Sequence, residues 1–138
     1  MRVKFIQLDL SDTRPDALKR IETEMDKIAQ ELENSGFQIQ SETIIPQQNN
    51  IRGILKIVYE KISKPQKTRY AYMIGDSRNG HDVLGKIVNA KLIELEKEND
   101  CLRSLTIPMK NDMYVQELLV YTPRLTKTAK ELLKEAKE

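Results

Sequence analysis

The chain contains one Cys, one His and no Trp in 138 residues. A single Cys excludes an internal disulfide, and one Cys with one His cannot complete a tetrahedral zinc site within one chain. Five Tyr and two Phe are all of its aromatics, few for the base-stacking platforms that single-strand nucleic-acid binders use. No uninterrupted apolar stretch approaches the roughly 20 residues a membrane span needs. The opening MRVKFIQLDL alternates charged and apolar residues and lacks the apolar core of a secretory signal. These absences predict a cytoplasmic protein with no membrane association, no structural metal and no cofactor.

What is present is an ordinary globular composition, 39% apolar and 32% charged, with a net charge of +2. That balance is too small to imply a nucleic-acid or membrane partner by itself. Its distribution is uneven. Residues 52–69 carry Arg52, Lys56, Lys61, Lys64, Lys67 and Arg69 against the single acid Glu60, whereas residues 12–34 carry seven acidic and four basic side chains.

Val3 to Leu8 reads as an opening strand, rich in β-branched and apolar residues. Thr13, with Pro15 and Asp16 following, signals a helix start, and Leu18, Ile21, Met25, Ile28, Ala29 and Leu32 recur at helical spacing until Gly36. Phe37, Ile39, Ser41, Thr43 and Ile45 alternate with polar residues as a second strand. Pro46 to Asn50 make a turn, and Ile51 to Glu60 return with odd positions apolar. The order then recurs: a strand Arg69–Ile74, a loop 75–80, a helix opened by His81 or Asp82, and a hairpin of Cys101–Ile107 with Met113–Tyr121. Thr122-Pro123 would cap a terminal amphipathic helix over 124–138.

The recurrence is visible in identities. At an offset of 63, Leu32, Glu33, Ser41, Thr43 and Ile44 match Leu95, Glu96, Ser104, Thr106 and Ile107; at 62, Pro46, Asn49, Val58 and Tyr59 match Pro108, Asn111, Val120 and Tyr121. We therefore expect one α+β domain over 1–138, made of repeat one (1–62), repeat two (67–123) and a C-terminal helix (124–138). Its tandem strand–helix–strand–strand units, related by a pseudo-twofold, would form an antiparallel sheet with helices mainly on one face.

Aligning the repeats places Glu117 where repeat one has Leu55, among apolar neighbours. A carboxylate on an apolar face is costly unless paired or hydrogen-bonded. Two readings follow: a charge inside a ligand groove, or a rim position that reaches solvent.

The second half, opening YAYMIGDSRNG (70–80) and closing VQELLVYTP (115–123), resembles the GyrI-like family of gyrase-inhibitor-like proteins and effector-binding domains of bacterial transcription regulators. Tyr70-Ala71 with Gly75 or Gly80 fits the family's second-half strand and loop, and Glu117 with Tyr121 and Pro123 fits its closing strand. The resemblance implies a non-enzymatic regulatory domain that binds a small molecule in a groove between the repeats. Glu117 would be the buried anion, with Tyr70, Tyr72, Tyr114 and Tyr121 as walls. The first half is also similar to small proteins of Gram-positive bacteria and their mobile elements.

Three other readings are set beside this one. Asp76, Ser77 and His81 are the ingredients of nucleophilic hydrolysis, but turn formation and helix capping account for each, and no oxyanion hole accompanies them. The basic residues Arg52, Lys56, Lys61, Lys64, Lys67 and Arg69 would serve a nucleic-acid-binding accessory protein. A sheet edge or the terminal helix would serve a protein-interaction or regulatory subunit, including a homodimer. Cys101 is expected to pack as a small apolar residue.

Overall fold

Regular spacing of apolar residues produces the elements. In the computed structural model, residues 1–10, 15–48, 52–108 and 113–124 are described. They form β1 (Arg2–Asp9), α1 (Pro15–Asn34), β2 (Phe37–Gln47), β3 (Arg52–Lys61), β4 (Arg69–Asp76), a 3-10 turn (Ser77–Asn79), α2 (His81–Glu96), β5 (Asn99–Ile107) and β6 (Tyr114–Pro123). The cap expected at Thr13 and the terminal helix beyond Arg124 lie outside the described residues. Thr122-Pro123 does not cap a helix: both belong to β6, and Thr122 is buried there.

In α1, Ile21, Met25 and Ala29 are buried, with Ile28 and Leu32 packed beside them. Each fully buried side chain of this size contributes about 1.5–3 kcal/mol. The helix closes at Gly36, whose φ of +85° is left-handed and suits glycine. Its N–H donates to the Glu33 carbonyl at 3.0 Å, and its own carbonyl accepts from the Ile62 N–H at 2.9 Å.

The α+β class and the antiparallel pairing stand, and the strands divide between two three-stranded sheets, ordered β1-β3-β2 and β4-β6-β5. The repetition is closer in space than in sequence. Ile39 pairs with Tyr59 and Cys101 with Tyr121; beyond a bulge, Ser41 pairs with Val58 and Arg103 with Val120. Both hairpins thus carry a bulge at the same place, and residues 62 apart correspond throughout. The matches of Ser41, Thr43 and Ile44 at offset 63 are one residue out of spatial register. In the first strands, Arg2 opposes Tyr59 as Arg69 opposes Tyr121, so residues 67 apart correspond.

A single core cluster joins α1 to both sheets: Leu8, Leu10, Ile39, Leu55 and Ile57 from the first, Tyr70, Ile107, Leu118 and Val120 from the second. Leu118, Leu119 and Val120 are consecutive and all buried, because β6 is a central strand with both faces covered. One face meets the first repeat. The other meets α2, which comes so close at Gly75 that an added Cβ would collide with Leu84 Cδ1.

The repeats are not related by a twofold. Under such symmetry, corresponding residues would share an environment. Tyr70, on the open face of the second sheet, is 1% exposed, whereas its counterpart Val3 is 41% exposed; Phe5, counterpart of Tyr72, is 61% exposed. The second sheet lays its open face on the helix-bearing side of repeat one. The equivalent open face of the first sheet is left outward.

Candidate functional site

Around the apolar core, the polar contact between repeats is built on acids. Along a strand, the outward N–H groups recur every two residues, about 6.8 Å; one turn of helix advances about 5.4 Å. Carboxylates four residues apart on a helix can therefore follow alternate N–H groups of a strand edge, as Glu22 and Asp26 of α1 do along β4. Glu33, two turns further on, meets the next alternate N–H, just before the strand. The Tyr72 N–H donates to Glu22 at 2.7 Å, the Tyr70 N–H to Asp26 at 2.8 Å and the Thr68 N–H to Glu33 at 2.8 Å. Arg69 adds an ion pair to Glu33 at 3.1 Å. Side-chain oxygens stand where a neighbouring strand would offer carbonyls, closing an edge that would otherwise invite pairing. Burial raises the pKa of Asp26, outweighing the opposing pull of the Tyr70 N–H.

A second polar cluster sits between the sheets. The Glu42 side chain, 1% exposed, accepts from Arg103 Nε at 2.6 Å and Nη2 at 2.8 Å, and from the Tyr70 hydroxyl at 2.5 Å. Burial, followed by the Glu42 charge, pushes the Tyr70 hydroxyl's pKa upward. Burial works against the Arg103 charge, but its bonds to Glu42 outweigh it and raise its pKa. Nearby, the Tyr72 hydroxyl donates to the buried Gln116 side chain at 2.8 Å, and burial pushes its pKa to about 12.

These contacts bear on the five residues expected to line an inter-repeat groove. Tyr70 and Tyr72 lie between the repeats but as packed, hydrogen-bonded members of the interface. Tyr114 shares their face of the sheet at its far end, where its ring lies 5.8 Å from the Arg78 guanidinium carbon. Glu117 and Tyr121 occupy the opposite face, because successive side chains of a strand point to opposite sides. Glu117 is half-buried there and accepts from the Thr106 hydroxyl. The structure does not bring the five together around one space.

The basic residues divide as well. Arg52 and Lys56 are on the outer face of the first sheet, Lys61, Lys64 and Lys67 are exposed, and Arg69 is turned onto Glu33. In the loop before α2, Asp76 accepts from the Arg78 backbone at 2.9 Å and from its guanidinium at 2.7 Å, while the His81 side chain is 96% exposed. Cys101 is half-buried, its sulfur 4.0 Å from the Leu92 carbonyl. Among the described residues no group of His, Cys, Asp and Glu is placed to hold a metal, and no helix is long and apolar enough to cross a membrane.

Among the described residues, Val83, Ile87 and Ile93 of α2 are exposed, and one other surface that leaves apolar side chains exposed is the outer face of the first sheet. Cross-strand rows of Val3, Val58 and Ser41, of Phe5, Lys56 and Thr43, and of Gln7, Ile54 and Ile45 make it up. Ile45 is 42% exposed. A depression of about 330 Å³ lies there, lined by Phe5, Ile6, Gln7, Gln47 and Ile54. In sequence Val3 and Phe5 break no pattern, and Ile45 falls in phase with Ile39 in the alternation of β2. A signal for Phe5 was available in the correspondence of RVKF (2–5) with RYAY (69–72), but only the strand register makes that alignment visible. Compared with protein-family models, curated proteins and solved structures, the chain matches none, so its functional reading comes from this geometry.

Proposed function

We propose that the chain is a non-enzymatic protein-interaction module whose docking surface is the outer face of the first sheet. The observation supporting this is the unlike fate of equivalent positions: Val3 and Phe5 are exposed where Tyr70 and Tyr72 are packed. Exposed apolar side chains grouped on one face of a sheet, ringed by polar and charged ones, have the make-up of an interaction patch. Phe5 lies on the edge strand and out of the core, so its replacement tests the surface without unfolding the protein. Immobilised chain should retain a partner that Phe5→Asp releases and that Glu117→Gln retains. Equal retention by all three would reject the assignment.

The depression beside Phe5 supports a second reading, a small-molecule regulatory domain of the kind the GyrI-like resemblance implies, with its ligand on this face. Its volume is at the lower end of the range for small-molecule pockets. A thermal-shift screen on wild type and Gln47→Ala tests it: the reading requires a compound whose stabilisation is lost in the variant.

A further inference from the structure

The contact between the repeats shows what kind of surface the β4 edge accepts, and β1 is the counterpart of β4. The two strands align as Arg2-Val3-Lys4-Phe5-Ile6 with Arg69-Tyr70-Ala71-Tyr72-Met73. Each begins with Arg, carries large apolar or aromatic residues at the second and fourth positions, and continues with an apolar fifth. Each is the outer strand of its sheet, antiparallel to the centre and joined by a helical crossover to the far strand. Such crossovers share one hand, so the outward N–H groups of β1 are those of Val3 and Phe5, as those of β4 belong to Tyr70 and Tyr72. On β4 these donors meet Asp26 and Glu22, and Arg69 meets Glu33.

On β1 the same elements face outward. Arg2, Val3, Lys4 and Phe5 are all exposed, and Lys56 lies in the row beside Phe5. Arg2 rests over the Phe37 ring at 4.9 Å. The local charge is positive where an acid-bearing helix would lie. The chain's own second helix does not supply one to another copy: the residues of α2 that stand 62 positions after Glu22, Asp26 and Glu33 are Leu84, Val88 and Leu95. Building a chain of copies by repeating the internal contact is therefore disfavoured, which favours a different protein as the occupant.

We propose that the β1 edge and the adjoining face of the first sheet dock an acidic amphipathic helix of a partner protein, with carboxylates one turn apart accepting from the Val3 and Phe5 N–H groups and a further acid pairing with Arg2. This deepens the interaction reading above by naming the chemistry of the partner. The occupant binds as α1 binds β4, with apolar residues beside the acids covering Phe5.

The test is an amide chemical-shift titration of the full chain with a helix-stapled peptide carrying residues 15–34, and with a version in which Glu22, Asp26 and Glu33 are replaced by Ala. Alanine raises helix propensity, so weaker binding of the second peptide would not reflect loss of helix. The expected result is movement of the Val3 and Phe5 amides by the acidic peptide, with affinity reduced about tenfold or more by the Ala peptide and by Arg2→Glu in the chain. Three results would overturn the proposal: no movement up to about 1 mM peptide, equal binding of both peptides, or movement confined to Tyr70 and Tyr72, meaning that the peptide had only displaced α1. Movement of Val3 and Phe5 by a single-stranded oligonucleotide and not by peptide would assign the face to nucleic acid instead. If partner retention depends on Phe5 but neither peptide binds, the interaction role stands and the acidic-helix proposal falls.

Discussion

The Tyr70 hydroxyl donates a 2.5 Å hydrogen bond to the Glu42 carboxylate, tying the second repeat to the first. Glu42 also holds Arg103 through two nitrogens, so one buried anion accepts from three donor atoms on two side chains of the second sheet. Removing the anion leaves the half-buried Arg103 charge without this partner, at a cost of about 2–3 kcal/mol for Glu42→Ala, below the range for a fully buried pair. Tyr70→Phe loses one hydrogen bond and should cost about 1–2 kcal/mol. Replacing the pair together, Glu42→Met with Arg103→Leu, should recover most of the loss. Urea unfolding of wild type and the three variants checks the order; a Glu42→Ala protein no weaker than Tyr70→Phe would contradict it.

The acids of α1 should protect particular amides. Glu22→Ala should speed hydrogen exchange at Tyr72, and Asp26→Ala at Tyr70, because each substitution exposes the N–H its carboxylate covers. Each loss corresponds to about 1–2 kcal/mol of local protection. Exchange that rose equally at both amides in either variant would mean that α1 detaches as a unit and that no acid guards its own donor.

Asp26 gives a pH signature. Burial raises its folded-state pKa above the ordinary 3.8, so the native state holds this proton more tightly than the unfolded chain. Its contribution is fully present below the unfolded value and is lost as pH rises through the folded one. The stability of wild type relative to Asp26→Asn, which keeps an acceptor for the Tyr70 N–H without a charge, should therefore decline as pH is raised from about 3.8. Denaturant titrations at successive pH values measure this difference; a rise over the same interval would show that the bond from Tyr70 outweighs burial.

Thr68 is fully buried, and its hydroxyl has no hydrogen-bond partner among the described residues, although its N–H is bound to Glu33. Thr68→Val keeps the shape and removes the desolvated hydroxyl, and should stabilise the protein by up to about 1 kcal/mol. A lower midpoint of thermal unfolding in the variant would argue that the hydroxyl is satisfied.

Legibility followed the range of each interaction. Strand and helix positions came from local periodicity, and so did the face of α1, since Ile21, Met25 and Ala29 are buried as their spacing predicts. The alternation of β2 misled because of the bulge between Ile39 and Ser41. A bulge inserts one residue and exchanges the faces beyond it. Ser41, Thr43 and Ile45, in phase with buried Ile39 by simple alternation, turn outward, and Glu42, out of phase with it, becomes the central anion of the interface. Glu117 stands out in sequence because its pattern violation is visible in one strand. Glu42 obeys the alternation, and its place becomes visible only with the bulge.

Local pattern along the chain sets the order of elements, the repetition, the α+β class and the buried stripe of the first helix, since each depends on residues close together in sequence. Which acids are solvated and which are structural depends on contacts made across the fold. In sequence, Glu22, Asp26 and Glu33 belong to an ordinary charged helix face; their donors lie 35 to 50 residues away, on a strand edge whose direction is set by another sheet. The unequal docking of two similar repeats was likewise beyond local pattern. It depends on which face of one sheet meets the other, and that choice leaves Val3 and Phe5 outward while Tyr70 and Tyr72 turn in.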